Sequence, residues 1–176
     1  MPTLLTGPEP ILTLAEAQAH VRVDSDDDQD YITALIDVVT AFLDGPRGTL
    51  GRYFAHQTWV EVYTSIGQGF QLPFGPVISV DSITHDGGAI TGFDLSESNG
   101  VWSVVPTGTW PDTSGDIIVN FTVGISPIPA PIKMAAMLHL GTLYENRESV
   151  VVGTISGLLP NGYEALLAPY RLWGGR

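Results

Sequence analysis

Between Pro131 and Arg147 the chain carries only three charged residues, Lys133, Glu145 and Arg147, and apolar side chains recur around most of a helical circumference instead of along one stripe. A helix with that pattern is buried on several sides, so the rest of the chain has to surround it. Pro131 suits its first turn, where a missing N–H costs nothing. At 1.5 Å per residue the segment would run roughly 25 Å, about the diameter of a small domain. Gly141 lies inside it at about 1 kcal/mol relative to Ala; either a neighbouring backbone comes close there or the glycine is merely tolerated. Ahead of the helix, Ile117, Ile118, Val119, Phe121 and Val123 read as a strand, and Gly124 to Pro131 turns the chain.

The surrounding material is that of one main domain: 176 residues, 44% hydrophobic, with 20 Gly and 13 Pro spread along the chain. That composition excludes collagen-like and disordered classes. With no cysteine there is no disulfide framework, cysteine zinc site or thiol nucleophile. The first residues lack the basic region and apolar run of a secretion signal, and no apolar segment approaches the ~20 residues that span a bilayer. A soluble protein made in the cytoplasm is expected. The formal net charge is −12, with a single lysine and six scattered arginines. Tight nucleic-acid binding needs clustered cations that displace counterions, and is not expected.

Read in order, residues 1 to about 12 form an extended arm with three prolines. Thr13-Leu-Ala-Glu16 has the spacing of a capping box and starts a short helix to about Val21. Alternate aspartates at 24, 26, 28 and 30 invite a calcium reading, but the glycine and glutamate that an EF-hand loop needs at its sixth and twelfth positions are Gln29 and Leu35. Ser25 or Asp24 is instead expected to cap a second helix, with the other carboxylates at its positive end. Ile32, Leu35, Ile36, Val39, Phe42 and Leu43 give that helix an apolar face, and Asp44-Gly45-Pro46 stops it.

From Gln57 the period changes to two. Strands are expected near 57–63, 70–72, 77–84, 93–95, 102–105 and 117–123, separated by turn signals such as Asp86-Gly87-Gly88 and Asn99-Gly100. Residues 148–160 are apolar yet rich in Gly and Ser, and read either as a loop ordered against a partner or as a hairpin strand. A last helix runs from Gly162 to about Ala168, and Trp173 near the end of the chain reads either as a docking anchor or as a core residue. The fold class expected is α+β: a helical bundle of N-terminal helices, a long central helix and a C-terminal helix, with an inserted antiparallel sheet or small sandwich. Residues 13–55 and 125–171 form the helical body, 56–124 the insertion and 172–176 a tail.

Catalytic chemistry is hard to find. His20, His56, His85 and His139 are far apart and none has the spacing of a metal site. No nucleophile elbow, phosphate loop or dinucleotide fingerprint occurs. Asp81, Asp86, Asp94 and Asp116 could meet across a sheet, although aspartates at strand ends are usually turn formers. No catalytic residue, metal or cofactor is assigned, and no enzyme is expected.

The order of segments carries more information than any one of them. LTLAEAQAHVRVD at 12–24, DDQDYITALI at 27–36, Gln57-Thr-Trp59, Leu72-Pro73 with Pro76-Val77 and Val80-x-Ser-Ile83, Val119-x-Phe-Thr-Val-Gly124, Pro131-Ile-Lys-Met-Ala135 with Leu143-Tyr-Glu-Asn-Arg147, and Ala165-Leu-Leu-Ala-Pro-Tyr-Arg171 together resemble the head-tail connector (adaptor) proteins of long-tailed bacteriophages and gene transfer agents. The arm before Leu12 and the tail after Arg171 match no motif. The resemblance implies a single connector domain over 1–176, in a ring of usually twelve copies beneath the portal. Such a ring joins portal to stopper or tail-terminator protein in the virion neck. DNA passes through its channel without specific binding, and no membrane is involved. An acidic channel wall would repel phosphates.

On this reading Val150, Val151, Ile155, Leu158, Tyr170, Arg171, Leu172 and Trp173 are the expected partner interface. Two alternatives stay open: a tail-completion or stopper protein, and a β-rich glycan-binding or hydrolytic module using clustered aspartates with Trp102 and Trp110.

Overall fold

The computed structural model describes residues 1–110, 115–146 and 161–171. The chain divides into two compact units, one of Met1–Glu9 with Tyr53–Ser126, the other of Pro10–Arg52 with Pro127–Arg176. The first is all β. Strands β1 (Thr3–Thr6), β2 (Gln57–Tyr63), β8 (Ile117–Val123), β4 (Val77–His85) and β5 (Gly88–Ala89) form an antiparallel sheet in that order. A second sheet has the order β3 (Phe70–Gln71), β7 (Val101–Pro106), β6 (Phe93–Ser98).

Two turns set the hairpins. Asp86-Gly87 joins β4 to β5 and Asn99-Gly100 joins β6 to β7, and all four residues have positive φ, as a two-residue turn matching the twist of its strands requires. Strand β8 is the centre of the larger sheet, with β2 and β4 on either side. Its Val119 and Phe121 stand opposite Glu61 and Trp59 on β2 and opposite Ile83 and Val80 on β4. Period two then buries Ile117, Val119, Phe121 and Val123 and turns Ile118, Asn120 and Thr122 outward. Val104 of the smaller sheet joins the same core, with Phe70, Phe93, Leu95 and Trp102 packed against it. Rings run through this core from Tyr53 to Trp59, Phe74 and Phe121, with centroids 4.8–5.8 Å apart.

The second unit is helical: α1 (Leu14–Val21), α2 (Gln29–Leu43), α3 (Ala130–Glu145) and α4 (Asn161–Leu167). Helix α3 packs with the other three. Ile132, Ala135, Ala136 and Leu140 are buried and most of its other side chains half-buried, as its near-uniform apolar character requires. Gly141 admits a side chain rather than a backbone: a Cβ there would lie 3.3 Å from Nε2 of His20 on α1. The capping box of α1 is complete, with the Thr13 N–H donating to Glu16 (2.8 Å) and the Glu16 N–H to Thr13 Oγ1 (3.2 Å).

The expected helical bundle built on one long central helix is overturned. The described residues form eight strands in two antiparallel sheets and four short helices, and the fold is mostly β with some helices. Helix α3 has sixteen residues and stops at Asn146, whose backbone and side-chain N–H groups both bond the Thr142 carbonyl. The N-terminal arm is a strand, pairing Thr3 with Val60 and Leu4 with Trp59. The proposed cap at Asp24 or Ser25 also gives way: a 3-10 turn, Asp26–Asp28, precedes α2. Asp28 takes the N-cap position without a side-chain cap bond, its carboxylate accepting instead from Tyr144 Oη at 2.5 Å.

Glu16 also accepts from Lys133 Nζ at 2.8 Å, tying α3 to α1. The Lys133 ammonium, and after it the Thr13 N–H, holds the Glu16 carboxyl down to about 2. A depressed folded value gives stability that is present above the unfolded value of 4.5 and lost as pH falls toward about 2. Glu16→Gln keeps the box but loses the charge, so it should cost under about 1 kcal/mol at neutral pH, both partners being partly exposed. In urea melts the gap to the wild type should close as pH falls through that window.

Candidate functional site

Arg171 follows α4 and a 3-10 turn, Ala168–Tyr170, and is drawn back onto the helical unit. Its Nη2 pairs with Glu164 at 2.8 Å and its Nε donates to the Thr49 carbonyl at 3.1 Å. Thr49 belongs to the loop 44–52 after α2, a series of tight turns in which Gly45 N–H bonds Arg52 O (2.9 Å), Gly48 N–H bonds Gly45 O (3.1 Å) and Thr49 N–H bonds Phe42 O (2.9 Å). Arg47 is exposed within this loop. Tyr170 is half-buried beside Arg171. The other expected interface residues, Val150, Val151, Ile155, Leu158, Leu172 and Trp173, lie outside the described residues.

His139 of α3 meets Phe42 of α2 (centroids 4.6 Å apart) and Tyr163 of α4 (5.9 Å), both edge-on. Burial pushes the imidazole below its ordinary 6.5. The unfolded chain therefore takes up this proton first, and stability is lost as pH falls below 6.5. His139→Phe should show a shallower loss of melting temperature than the wild type between about pH 7.5 and pH 5.5, a window that spans ordinary histidine titration.

Some apolar residues of these helices are exposed: Phe42, expected on the apolar face of α2, with Val38 beside it, and Met134 on α3. On the larger sheet the outward face carries Val62 and Ile118 among Thr58, Thr122, Ser79 and Asp81. Asp81 accepts from Ser79 Oγ at 2.6 Å and Thr122 Oγ1 at 2.7 Å. Asp94 is on the other sheet, opposite Val105, and Asp86 is in a hairpin turn. Trp110 is a core residue and Trp102 is half-buried against that core, so neither is the open platform that the glycan reading assumed. Among the described residues no group of three or more His, Cys, Asp or Glu is arranged to hold a metal ion.

Charge is divided unevenly. All seven Lys and Arg lie in the helical unit; the β unit has none, against eight Asp and Glu. Sequence reasoning misses this segregation, although every residue of it is in plain view, because the unit boundaries that reveal it fall at Glu9, Arg52 and Ser126.

No protein-family model matches the chain, and no curated protein does. Solved structures do. A chain in the neck of an empty gene transfer agent (GTA) particle with C6 symmetry superposes at a TM-score of 0.68, with 20% identity over 100% of this chain and 99% of that one. The chain shares the fold of a neck protein. A chain of the neck of the native GTA particle with C12 symmetry matches at 0.62 and 19% identity, over 100% of this chain and 99% of that one. One from the native GTA virion matches at 0.60 and 20%, over 99% and 98%. Both units, the sheets as well as the helices, are thus spanned by each of these matches.

Proposed function

We propose that the chain is a structural protein of a virion neck, forming a ring between portal and tail around the DNA exit channel. The observation that carries this is the end-to-end match to chains from GTA necks with C6 and C12 symmetry. The formal charge of −12 fits a wall along which DNA slides without sticking. A sealing and joining role needs no catalytic centre, metal or cofactor. The partners proposed are further copies of the chain, usually twelve in such rings, with portal protein on one side and stopper or tail-terminator protein on the other. The whole chain is proposed to act as one connector domain, made in the host cytoplasm and housed in the particle.

Native mass spectrometry of the purified protein, with negative-stain images of the same sample, tests the ring directly. A closed ring with a central hole is expected, alone or on assembled portal. Failure to bind portal, with binding to tail protein instead, would move the chain to the tail-completion position.

The apolar 150–158 segment and the tail from Leu172 to Arg176 are proposed as portal contacts. A truncation should begin after Arg171, because removing Arg171 also removes its bonds to Thr49 and Glu164. The protein ending at Arg171 should melt like the full chain yet lose portal attachment in a pull-down; undiminished attachment would take the tail out of the interface.

A further inference from the structure

Three of the chain's seven cationic side chains gather at one loop: Arg47 and Arg52 lie within residues 44–52, and Arg171 bonds Thr49 there. Arg171 is paired with Glu164. Arg47 is exposed, and among the described residues it has no hydrogen bond or ion pair. The β unit, with no Lys or Arg of its own, offers the complement. Strand β6 is an outer strand of its sheet, paired with β7 alone. On the outward face of that pair Asp94 stands opposite Val105 and Ser98 opposite Val101. Both valines are 42% exposed, and Asp94 is likewise exposed and unbonded among the described residues.

From this charge complementarity we infer that the Arg47 loop of one copy docks on the β6–β7 face of a second copy, Arg47 pairing with Asp94 beside Val105. The inference rests on the ring reading for the identity of the partner. Arginine suits such a place, because its weakly hydrated fork pairs with a carboxylate while its stem covers apolar surface. The loop and the face are different surfaces, so the contact is head-to-tail: each copy keeps one loop and one face to offer, which is the arrangement that propagates around a ring. DNA phosphate is the rival occupant of an arginine loop. The carboxylate of Glu164 within the same cluster, and the net charge of −12, work against it.

Two charge reversals test the pairing. Arg47→Glu and Asp94→Arg should each weaken self-association by about tenfold or more, and the double variant should recover most of it, since the pair is restored with its signs exchanged. Singles that assemble like the wild type, or a double no better than either single, would overturn the docking site. The chain has no cysteine, so Arg47→Cys and Asp94→Cys proteins provide a second readout. Mixed at high concentration under oxidising conditions they should give a disulfide-linked pair that neither gives alone, and absence of that pair overturns the proposal even if no free ring forms.

The two readings fail differently. Rings that assemble regardless of both reversals leave the neck function standing and remove this contact; a wild type that assembles neither alone nor on portal removes the ring itself. Retention of duplex DNA by the wild type, abolished in Arg47→Glu, would assign the loop to phosphate and overturn the inference.

Discussion

Gly124→Ala should unfold the β unit at temperatures where the wild type is intact. Gly124 directly follows β8 at φ +129, a conformation that L side chains rarely adopt, and an added Cβ would lie 2.7 Å from the Ala55 carbonyl oxygen and 3.0 Å from its carbon. The backbone is held there from both sides: Gly124 N–H bonds Pro76 O (3.0 Å), and the next residue's N–H bonds Phe54 O (3.0 Å). Neither obstacle is the movable end of a side chain, so relief requires shifting a strand end. Backbone strain and overpacking each cost about 1–3 kcal/mol, and together they reach about 3 kcal/mol or more, a large share of a domain's roughly 5–15 kcal/mol. Circular dichroism melts would read this as a lowered transition. A melting temperature within about a degree of the wild type, against the several degrees expected per kcal/mol, would mean that the turn relaxes at no cost.

Phe121→Ala should have a comparable effect by another route. Phe121 is fully buried on the central strand, flanked by Trp59 and Val80, with the Phe74 ring 5.6 Å away. Truncation leaves a ring-sized space among side chains fixed by two sheets, and emptying a buried phenylalanine site in this way costs about 3–5 kcal/mol. Denaturant melts should show a lower midpoint with a similar slope. Phe121→Leu, which fills most of the space, should recover at least half of the loss; equal losses in both would point to the ring–ring contacts rather than the cavity.

Sequence signals are dependable where the interaction is short in sequence. Thr13 and Glu16 are three residues apart and form the capping box their spacing announces. Asp86-Gly87 and Asn99-Gly100 announce their hairpins for the same reason. The failures involve distant partners. Thr3 to Thr6 is only four residues in a proline-flanked segment, and what makes it a strand is β2, more than fifty positions along the chain. Asp28 has the look of helix-start chemistry, but its partner is Tyr144, 116 positions away.

A helical bundle is the natural misreading because one nearly uncharged helix dominates the hydrophobic pattern, whereas the sheets spread their burial over short strands split by turns. Of the expected interface, Tyr170 and Arg171 lie among the described residues, and the engagement of Arg171 with Thr49 and Glu164 is invisible in a sequence that shows only a basic residue near a terminus. Arg47 carries no signal at all until the loop has a shape.

Because β8 sits between β2 and β4, and α3 meets both α1 and α2, each unit is closed by a segment from the later part of the chain. On the ribosome, β1 through β7 would emerge without the strand that organises the larger sheet, and the first two helices without the one they pack on. Both units should therefore complete folding late in synthesis, their early segments waiting as unpaired edges and uncovered apolar faces.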